Sequence, residues 1–496
     1  MTTMWPKPPD IHARDLEWTR LSDFVASPGK GTRLGIVYGR RRQGKTTLLE
    51  ELCRVSAGFY WQAREQEPAQ NLASLEQAWG AYKGPGGPSR FASWGEALTT
   101  LASAGRGKIS GLPVVIDEVG YLLARDPSLA SELQAVLSPR GPAAREGGTR
   151  LILCGSALGQ MRSLLDPEAP LRGRAGLELI VQPFDYRTSA GFWGLSSNAD
   201  AAFRLHAIVG GTPAYVDLAG GYRPADGDID RWVIDRILDP ASALFREGRL
   251  AVAEDQHLRD GQLYWGMLAA IAGGANRWTE LSTTLGGKVG TLSHALDVLV
   301  DAGWIERHQD PLRARRSWFE ITEPIVRFHQ LVLEQFAGRL RRPGNAATVW
   351  EDARSIVRSQ IYAPHLESVA RSWIRDFASQ DSIGGVVDEV ESTEIVKAGQ
   401  LDLVAVERGT KGNRKIIAIG EVKSGIEPVG IVELERLDEA VVKLGSARAL
   451  QVRRMITVPP KRILVARAGF TVELHRAATR RGDVELVDLI RLYGGE

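Results

Sequence analysis

LGIVYGRRRQGKTTLLEEL, residues Leu34 to Leu52, decides the reading of this chain. LGIVY is a short apolar run of the kind that fills a buried parallel strand, and TTLLEEL has the spacing of a helix. Between them Gly39 to Thr46 reads GRRRQGKT, the pattern of a phosphate-binding loop in the strand-to-helix context that the pattern requires. Gly39 and Gly44 let the backbone turn and bring its N–H groups against phosphates at a helix N-terminus, whose dipole favours an anion. The expected cradle is Gly39, Arg40, Arg41, Arg42, Gln43, Gly44, Lys45, Thr46 and Thr47. Lys45 is expected to reach the β- and γ-phosphates of ATP, and the Thr46 hydroxyl to ligate Mg2+. A chance glycine-rich turn is the bland alternative, and the flanking strand and helix weigh against it.

Working outward, apolar runs alternate with helical stretches from Arg33 to Phe184: LGIVYG, GFYW, LPVVIDE, RLILCGS and LELIV. That alternation predicts a parallel sheet with crossover helices. VVIDE puts Asp117 and Glu118 at the C-terminal end of a strand, where open parallel sheets bind ligands. Asp117 is expected to hold Mg2+ through water, and Glu118 to orient or deprotonate an attacking water. An acidic helix start after a buried strand is the alternative. Ser156 ends the next strand, suited to sensing the γ-phosphate or the water, although a plain turn serine also fits. Arg172 and Arg174 in APLRGRAG are a basic pair. Arg174 is the better candidate for an arginine finger acting on a neighbouring copy's nucleotide, against a solvated loop. The loops Lys83 to Ser89 and Gly141 to Gly148, rich in Gly and Pro, are expected outside the sheet.

These residues resemble the archaeal-type P-loop ATPases, relatives of the AAA+ and STAND classes that also occur in bacteria. ARDLEW, GRRRQGKT, VVIDE, CGSAL, PLRGR and GGTPAY (Gly210 to Tyr215) come in the family's order over most of the first half of the chain. The family carries an aromatic where Arg172 stands. The resemblance implies that GGTPAY lies in a helical lid and supports the nucleotide site by position.

The remaining composition bounds the rest. At roughly 150 residues per domain, 496 residues predict about three domains. With 62 basic and 60 acidic side chains the net charge is +2, which excludes a protein whose whole surface coats a polyanion. Two cysteines, Cys53 and Cys154, exclude a disulfide framework and a cysteine-based zinc site. The N-terminal sequence has no secretory pattern and no apolar run has the length of a membrane helix, so the expected location is cytoplasmic, with no membrane partner.

Apolar residues Leu205, Ile208 and Val209 share one helix face within a helical stretch from Ala201 to Ala272. From Gln262 to Thr322 the order is three helices and then two short strands, IERHQD and SWFEIT, the order of a winged helix-turn-helix. Its recognition helix, Thr291 to Ala302, faces Leu292, Leu296 and Leu299 inward and Ser293 and His294 outward. That helix carries no Lys or Arg, whereas the wing holds Arg307, Arg313, Arg315 and Arg316, placed for phosphate contact rather than base readout. Docking onto another part of the chain is the alternative.

The last block pairs two strands, QLDLVAVERG and KIIAIGEVKS, across the turn TKGN, followed by helix, strand RILVARA, helix and strand VELVDLI. A symmetric hairpin sets Asp402 opposite Glu421, and Lys423 shares the face of Glu421. Two carboxylates and a lysine suit Mg2+-assisted phosphodiester hydrolysis, with Asp402 and Glu421 on the metal and Lys423 orienting water. A salt-bridged surface hairpin is the alternative. The spacing resembles the PD-(D/E)XK nuclease superfamily, and that resemblance adds Glu367 from the helix HLESVARSWIRDF, whose buried face holds Leu366, Ala370, Trp373 and Phe377.

The whole is an α/β protein: a P-loop ATPase core at 1–195, a helical lid at 196–258, a winged helix at 259–345 and a restriction-endonuclease-like domain at 346–496. The expected activity is Mg2+-dependent ATP hydrolysis coupled to DNA binding or cleavage, with a homo-oligomer accommodating the finger. Its rivals are an ATP-gated switch whose nuclease-like fold is inactive, and a transcription regulator acting through the winged helix.

Overall fold

The computed structural model describes residues 5–29, 31–84, 90–107, 111–138, 141, 143, 147–255, 258, 260–286, 289–313, 315–395, 399–409, 412–446 and 450–495. They fall into two compact units, the first essentially Met1–Pro183 and the second running from Phe184 to the C-terminus, apart from two short segments that join the first. Most of the expected loops at Lys83 to Ser89 and Gly141 to Gly148, and Thr410 and Lys411 of the expected turn, lie outside the described residues.

In the first unit five parallel strands are ordered β2-β3-β4-β1-β5. They are β1 (Arg33–Tyr38), β2 (Phe59–Gln62), β3 (Leu112–Asp117), β4 (Thr149–Gly155) and β5 (Ala175–Ile180). Every residue of β3 and β4 is buried, as the continuous apolar runs require of strands covered on both faces. Leu34, Ile36 and Leu153 pack into one core and Val37, Ile152 and Cys154 into the other, across the sheet. Because β4 lies between β1 and β3, the ends of these three strands bring the phosphate loop, Ser156 and the acidic pair to one edge.

The second unit begins where the Phe184 N–H donates to the Gly211 carbonyl at 2.8 Å. Leu205, Ile208 and Val209 of the helix Ala199–Val209 are buried, as their spacing predicts. Helices Gly261–Ala272, Trp278–Leu285 and Val289–Asp301 precede an antiparallel hairpin of β6 (Ile305–Gln309) and β7 (Ser317–Ile321). Leu292, Leu296 and Leu299 are buried, while His294 is exposed and Ser293 half-buried. The helix Ala346–Ile356 continues through a π-helical stretch, Val357–Tyr362, into Ala363–Asp376, which carries Pro364 in its first turn. Leu366, Ala370 and Trp373 are buried there; Phe377 ends that helix half-buried beneath the Arg187 guanidinium, 4.1 Å from its ring.

The C-terminal sheet is mixed, ordered β12-β11-β10-β9-β8, with β8 (Glu389–Ile395), β9 (Gly399–Arg408), β10 (Arg414–Lys423), β11 (Lys461–Ala466) and β12 (Val484–Asp488). The edge strand β8, EVESTEI, was not expected, because alternating acidic residues mask its pattern. The final strand also stops earlier than VELVDLI predicts: Asp488 accepts from Arg491 N–H and caps a helix, Leu489–Gly494. Among the described residues no helix is long and apolar enough to cross a membrane.

At Gly211 a Cβ atom would lie 1.8 Å from the Phe184 carbonyl oxygen, whereas at Gly261 it would meet nothing within 4 Å. Gly211→Ala is expected to cost about 2 kcal/mol or more and to lower the calorimetric transition of the second unit. Gly261→Ala should leave that transition unchanged or raise it.

Candidate functional site

The phosphate loop closes on two tight points. Gly39 has φ 158°, and a Cβ there would lie 2.2 Å from the Val181 carbonyl oxygen, so only glycine fits. Gly44 has φ 86° and starts the helix Lys45–Ser56, leaving first-turn N–H groups directed out of the helix end. Lys45, buried, folds back so that Nζ donates to the carbonyls of Gly39 (2.7 Å) and Arg40 (2.9 Å). Arg41 donates to the Tyr121 hydroxyl, Arg42 takes a left-handed backbone at φ 70°, Gln43 is buried and Thr47 is exposed.

Asp117 is fully buried. Its Oδ2 accepts from the Thr46 hydroxyl (2.8 Å) and the Tyr60 hydroxyl (2.8 Å), and its Oδ1 from the Glu118 N–H (2.8 Å). Burial, and then the Asp117 charge, push the Tyr60 hydroxyl far up, so it remains a donor. Glu118 has φ 51°, a left-handed conformation costing a non-glycine residue about 1–2 kcal/mol, and such strain clusters at functional sites. Its Oε2 accepts from the Ser156 hydroxyl at 2.9 Å. Lys45, Thr46, Asp117, Glu118 and Ser156 are therefore brought together, and their carboxylates and donors can hold a Mg2+–triphosphate.

Two residues beside them were missed by sequence reasoning. Arg14, from ARDLEW, is buried at φ 61° and donates to the Gln43 carbonyl at 3.0 Å and to Glu17 at 2.9 Å, bracing the loop from behind. Its place in the motif was visible, its role was not. Tyr60 sits on β2, in a run that reads only as a strand. Arg174 donates to the Leu137 carbonyl at 2.9 Å and Arg172 to the Pro167 carbonyl at 2.7 Å, so neither side chain is engaged with the residues around Lys45. Both cysteines are buried free thiols.

In the second unit the expected carboxylates also converge. Leu403 pairs with Gly420, which sets Asp402 against Glu421 one step on; nearer the turn a bulge between Ile416 and Ala418 shifts the register. Asp402 Oδ2 accepts from the Val422 N–H at 2.9 Å, and Lys423 Nζ donates to Glu421 at 2.8 Å. Lys423 also pairs with Glu433 at 3.3 Å, a carboxylate that the sequence did not single out. Glu367 feels the charges of Asp402 and Glu421, and burial first, then Asp402, push its carboxyl up to about 7. The same two causes lift Glu421 to about 7, and burial raises Asp402 against the stabilising Val422 N–H. Among the described residues no group of three or more His, Cys, Asp or Glu side chains is arranged as a metal cage. Mg2+ needs only one or two protein carboxylates and keeps several waters, so the pair Asp402 and Glu421 fits it.

The hairpin faces this block. His308, expected only as part of a wing, is buried with Nδ1 3.0 Å from Glu391 on β8; burial lowers its pKa, and the bond and charge of Glu391 together with the charge of Glu320 leave it raised. Arg307 pairs with Asp297 at 2.9 Å and Arg316 with Glu394 at 2.5 Å. Two of the four arginines expected on phosphates are thus paired within the chain; Arg315 is exposed and Arg313 half-buried.

The first unit has a P-loop NTPase-type fold, an open parallel sheet with the phosphate loop between β1 and the helix that follows it. The chain is similar in structure to a Walker-type ATPase of Pyrococcus abyssi, with TM-score 0.52 and 23% identity over 66% of this chain and 98% of that one. Weaker likenesses are to the Aeropyrum pernix ORC2 protein (TM-score 0.39, 15% identity, 71% of this chain and 97% of that one) and the Aeropyrum pernix ORC1 protein solved with DNA (0.29, 17%, 67% and 95%). No protein-family model and no curated protein matches the chain.

The raised carboxyls fix a pH dependence. Between about 4.5 and about 7 the unfolded chain loses the protons that folded Glu367 and Glu421 keep, so stability present at low pH is lost as pH rises through about 7. In metal-free protein Glu421→Gln should shrink the stability gap between pH 5 and pH 8 by about 1–3 kcal/mol, read as a smaller shift in the second unit's melting transition.

Proposed function

We propose that the chain is a Mg2+-dependent ATPase whose nucleotide state governs DNA engagement or cleavage by its second unit. The observation that carries this reading is the line of bonds from Thr46 to Asp117 and from Glu118 to Ser156, across the ends of adjacent strands beside Lys45. Lys45 exchanges its two carbonyl partners for β- and γ-phosphate oxygens, and the first-turn N–H groups of its helix donate to the same anion. Bound Mg2+ supplies charge neutralisation on the phosphates, held by the Thr46 hydroxyl and, through water, by Asp117. Glu118, oriented by Ser156, takes the proton of the attacking water. Arg174 of a neighbouring copy serves as the finger, which requires at least a homodimer.

In the same reading the segment 259–345 is a winged helix, 196–258 a lid and 346–496 a PD-(D/E)XK-type domain. Asp402 and Glu421 hold a metal, Lys423 orients water, and Glu367 completes the acidic set. A second reading, an ATP-gated switch with an inactive nuclease-like fold, is favoured by the ion pairs that occupy Arg307 and Arg316. Cytoplasmic location belongs to both.

Lys45→Ala and Glu118→Gln should each lower ATP turnover of the purified chain by about 100-fold or more; unchanged turnover in Lys45→Ala overturns the nucleotide assignment. Mixing Arg174→Ala with Glu118→Gln protein should restore part of the turnover if the finger acts in trans. Cleavage of linear, circular and single-stranded DNA with Mg2+ or Mn2+, abolished by Glu421→Ala, selects the first reading. ATP turnover with no cleavage under any of these conditions selects the second.

A further inference from the structure

We infer that the second unit contains a phosphate-binding pocket formed by Arg204, Arg354, Arg358 and Arg467, separate from the nucleotide loop. The pocket has a volume of about 150 Å3, room for one phosphate group. Four guanidinium groups and a single carboxylate, Asp230, line it; Asp200 behind Arg467 and Glu351 beside Arg354 stand outside that lining, so the concavity itself presents more cationic than anionic groups.

The inner wall is rigid. Arg467, 13% exposed, is held from behind by Asp200 at 2.7 Å, and its guanidinium lies 5.2 Å from the Tyr362 ring centre. Arg204, 19% exposed, donates to Asp230 and to the Tyr362 hydroxyl (3.4 Å). Asp230 also accepts from the Trp350 indole at 2.8 Å, so its charge is already spent inside the fold. The rim is the opposite. Arg354 and Arg358 stand one helical turn apart, where like charges repel. Arg354 pairs only with exposed Glu351 at 2.9 Å, and Arg358 has no ion-pair partner among the described residues. Two fixed forks below and two adaptable ones above suit the tetrahedral acceptors of a phosphate, which arginine binds with paired N–H donors.

The pocket also adjoins the C-terminal sheet. Arg467 N–H donates to the Lys423 carbonyl at 3.0 Å, one bond from the strand end that carries the lysine of the carboxylate centre. That position fits a phosphate within a polynucleotide strand; the charge of the pocket fits inorganic phosphate equally. The inference does not depend on cleavage.

The test uses full-length protein carrying Lys45→Ala, so that the nucleotide loop does not contribute. Inorganic phosphate is titrated by calorimetry and a fluorescent single-stranded oligonucleotide by anisotropy. Arg354→Glu/Arg358→Glu, on exposed side chains, should weaken binding at least tenfold and flatten the salt dependence of oligonucleotide binding by about 1–2 in slope. Arg453→Glu/Arg454→Glu, the same charge change on another exposed helix, should leave both unchanged. Loss of phosphate binding identifies a free anion as the source; loss of oligonucleotide binding alone identifies a strand. No binding by the parent, binding indifferent to the pocket variant, or equal loss in both double variants overturns the inference.

Discussion

A carboxylate with no exposure at all, Asp117, is the constraint around which the first unit is arranged. Burying an ionised carboxyl without partners costs several kcal/mol, so the surrounding elements must deliver donors. They come from three places: Thr46 in the helix after β1, Tyr60 on β2, and the backbone N–H of Glu118 beyond β3. The parallel register that pairs Gln62 with Asp117 puts β2 where Tyr60 can reach, and the left-handed turn at Glu118 aims the last donor. Strand order, helix start and backbone strain therefore serve one buried charge.

The second unit meets the same problem and leaves it open. Of Glu367, Asp402 and Glu421 it is Glu421 that pairs with Lys423, which Glu433 also engages, while Asp402 accepts from the Val422 N–H and Glu367 lies near the charges of both Asp402 and Glu421. Their carboxyls respond by holding protons, two of them up to about 7. A group of acids that resists ionisation is the arrangement a divalent cation relieves, because its charge favours the ionised forms. The first centre is satisfied by donors of its own fold; the second relieves its crowded charge by keeping protons.

Legibility followed the same division. The phosphate loop, the acidic strand and Ser156 were readable because fixed spacing and apolar runs carry their signal locally, and the hairpin count set Asp402 against Glu421. Arg14 and Tyr60 were not readable as site residues, since their roles depend on contacts with Gln43 and Asp117, 29 and 57 residues away. The strand β8 escaped because EVESTEI pairs on only one edge and alternates acids where an apolar strand is sought. The bulge at Ile416 escaped too, although it keeps the turn and the carboxylate pair in different registers.

The hairpin was expected as a basic wing, with docking onto another part of the chain as the alternative, and its side chains bond to the neighbouring helix. Arg371 lies one turn beyond Glu367 on the helix Ala363–Asp376 and donates to Glu320 on β7 at 2.7 Å, while Arg327 holds the same carboxylate at 3.1 Å. Burial of the half-buried Glu320 works against its ionised form, and the charges of Arg371 and Arg327 outweigh it and hold the carboxyl below the usual carboxylate range. Breaking one member of such a buried set leaves an uncompensated charge costing about 3–5 kcal/mol, so the hairpin and the helix that carries Glu367 move as one piece. The hairpin is thereby tied to the helix that carries Glu367 through the Arg371–Glu320 bond, one turn away from that carboxyl, rather than through a linker between domains.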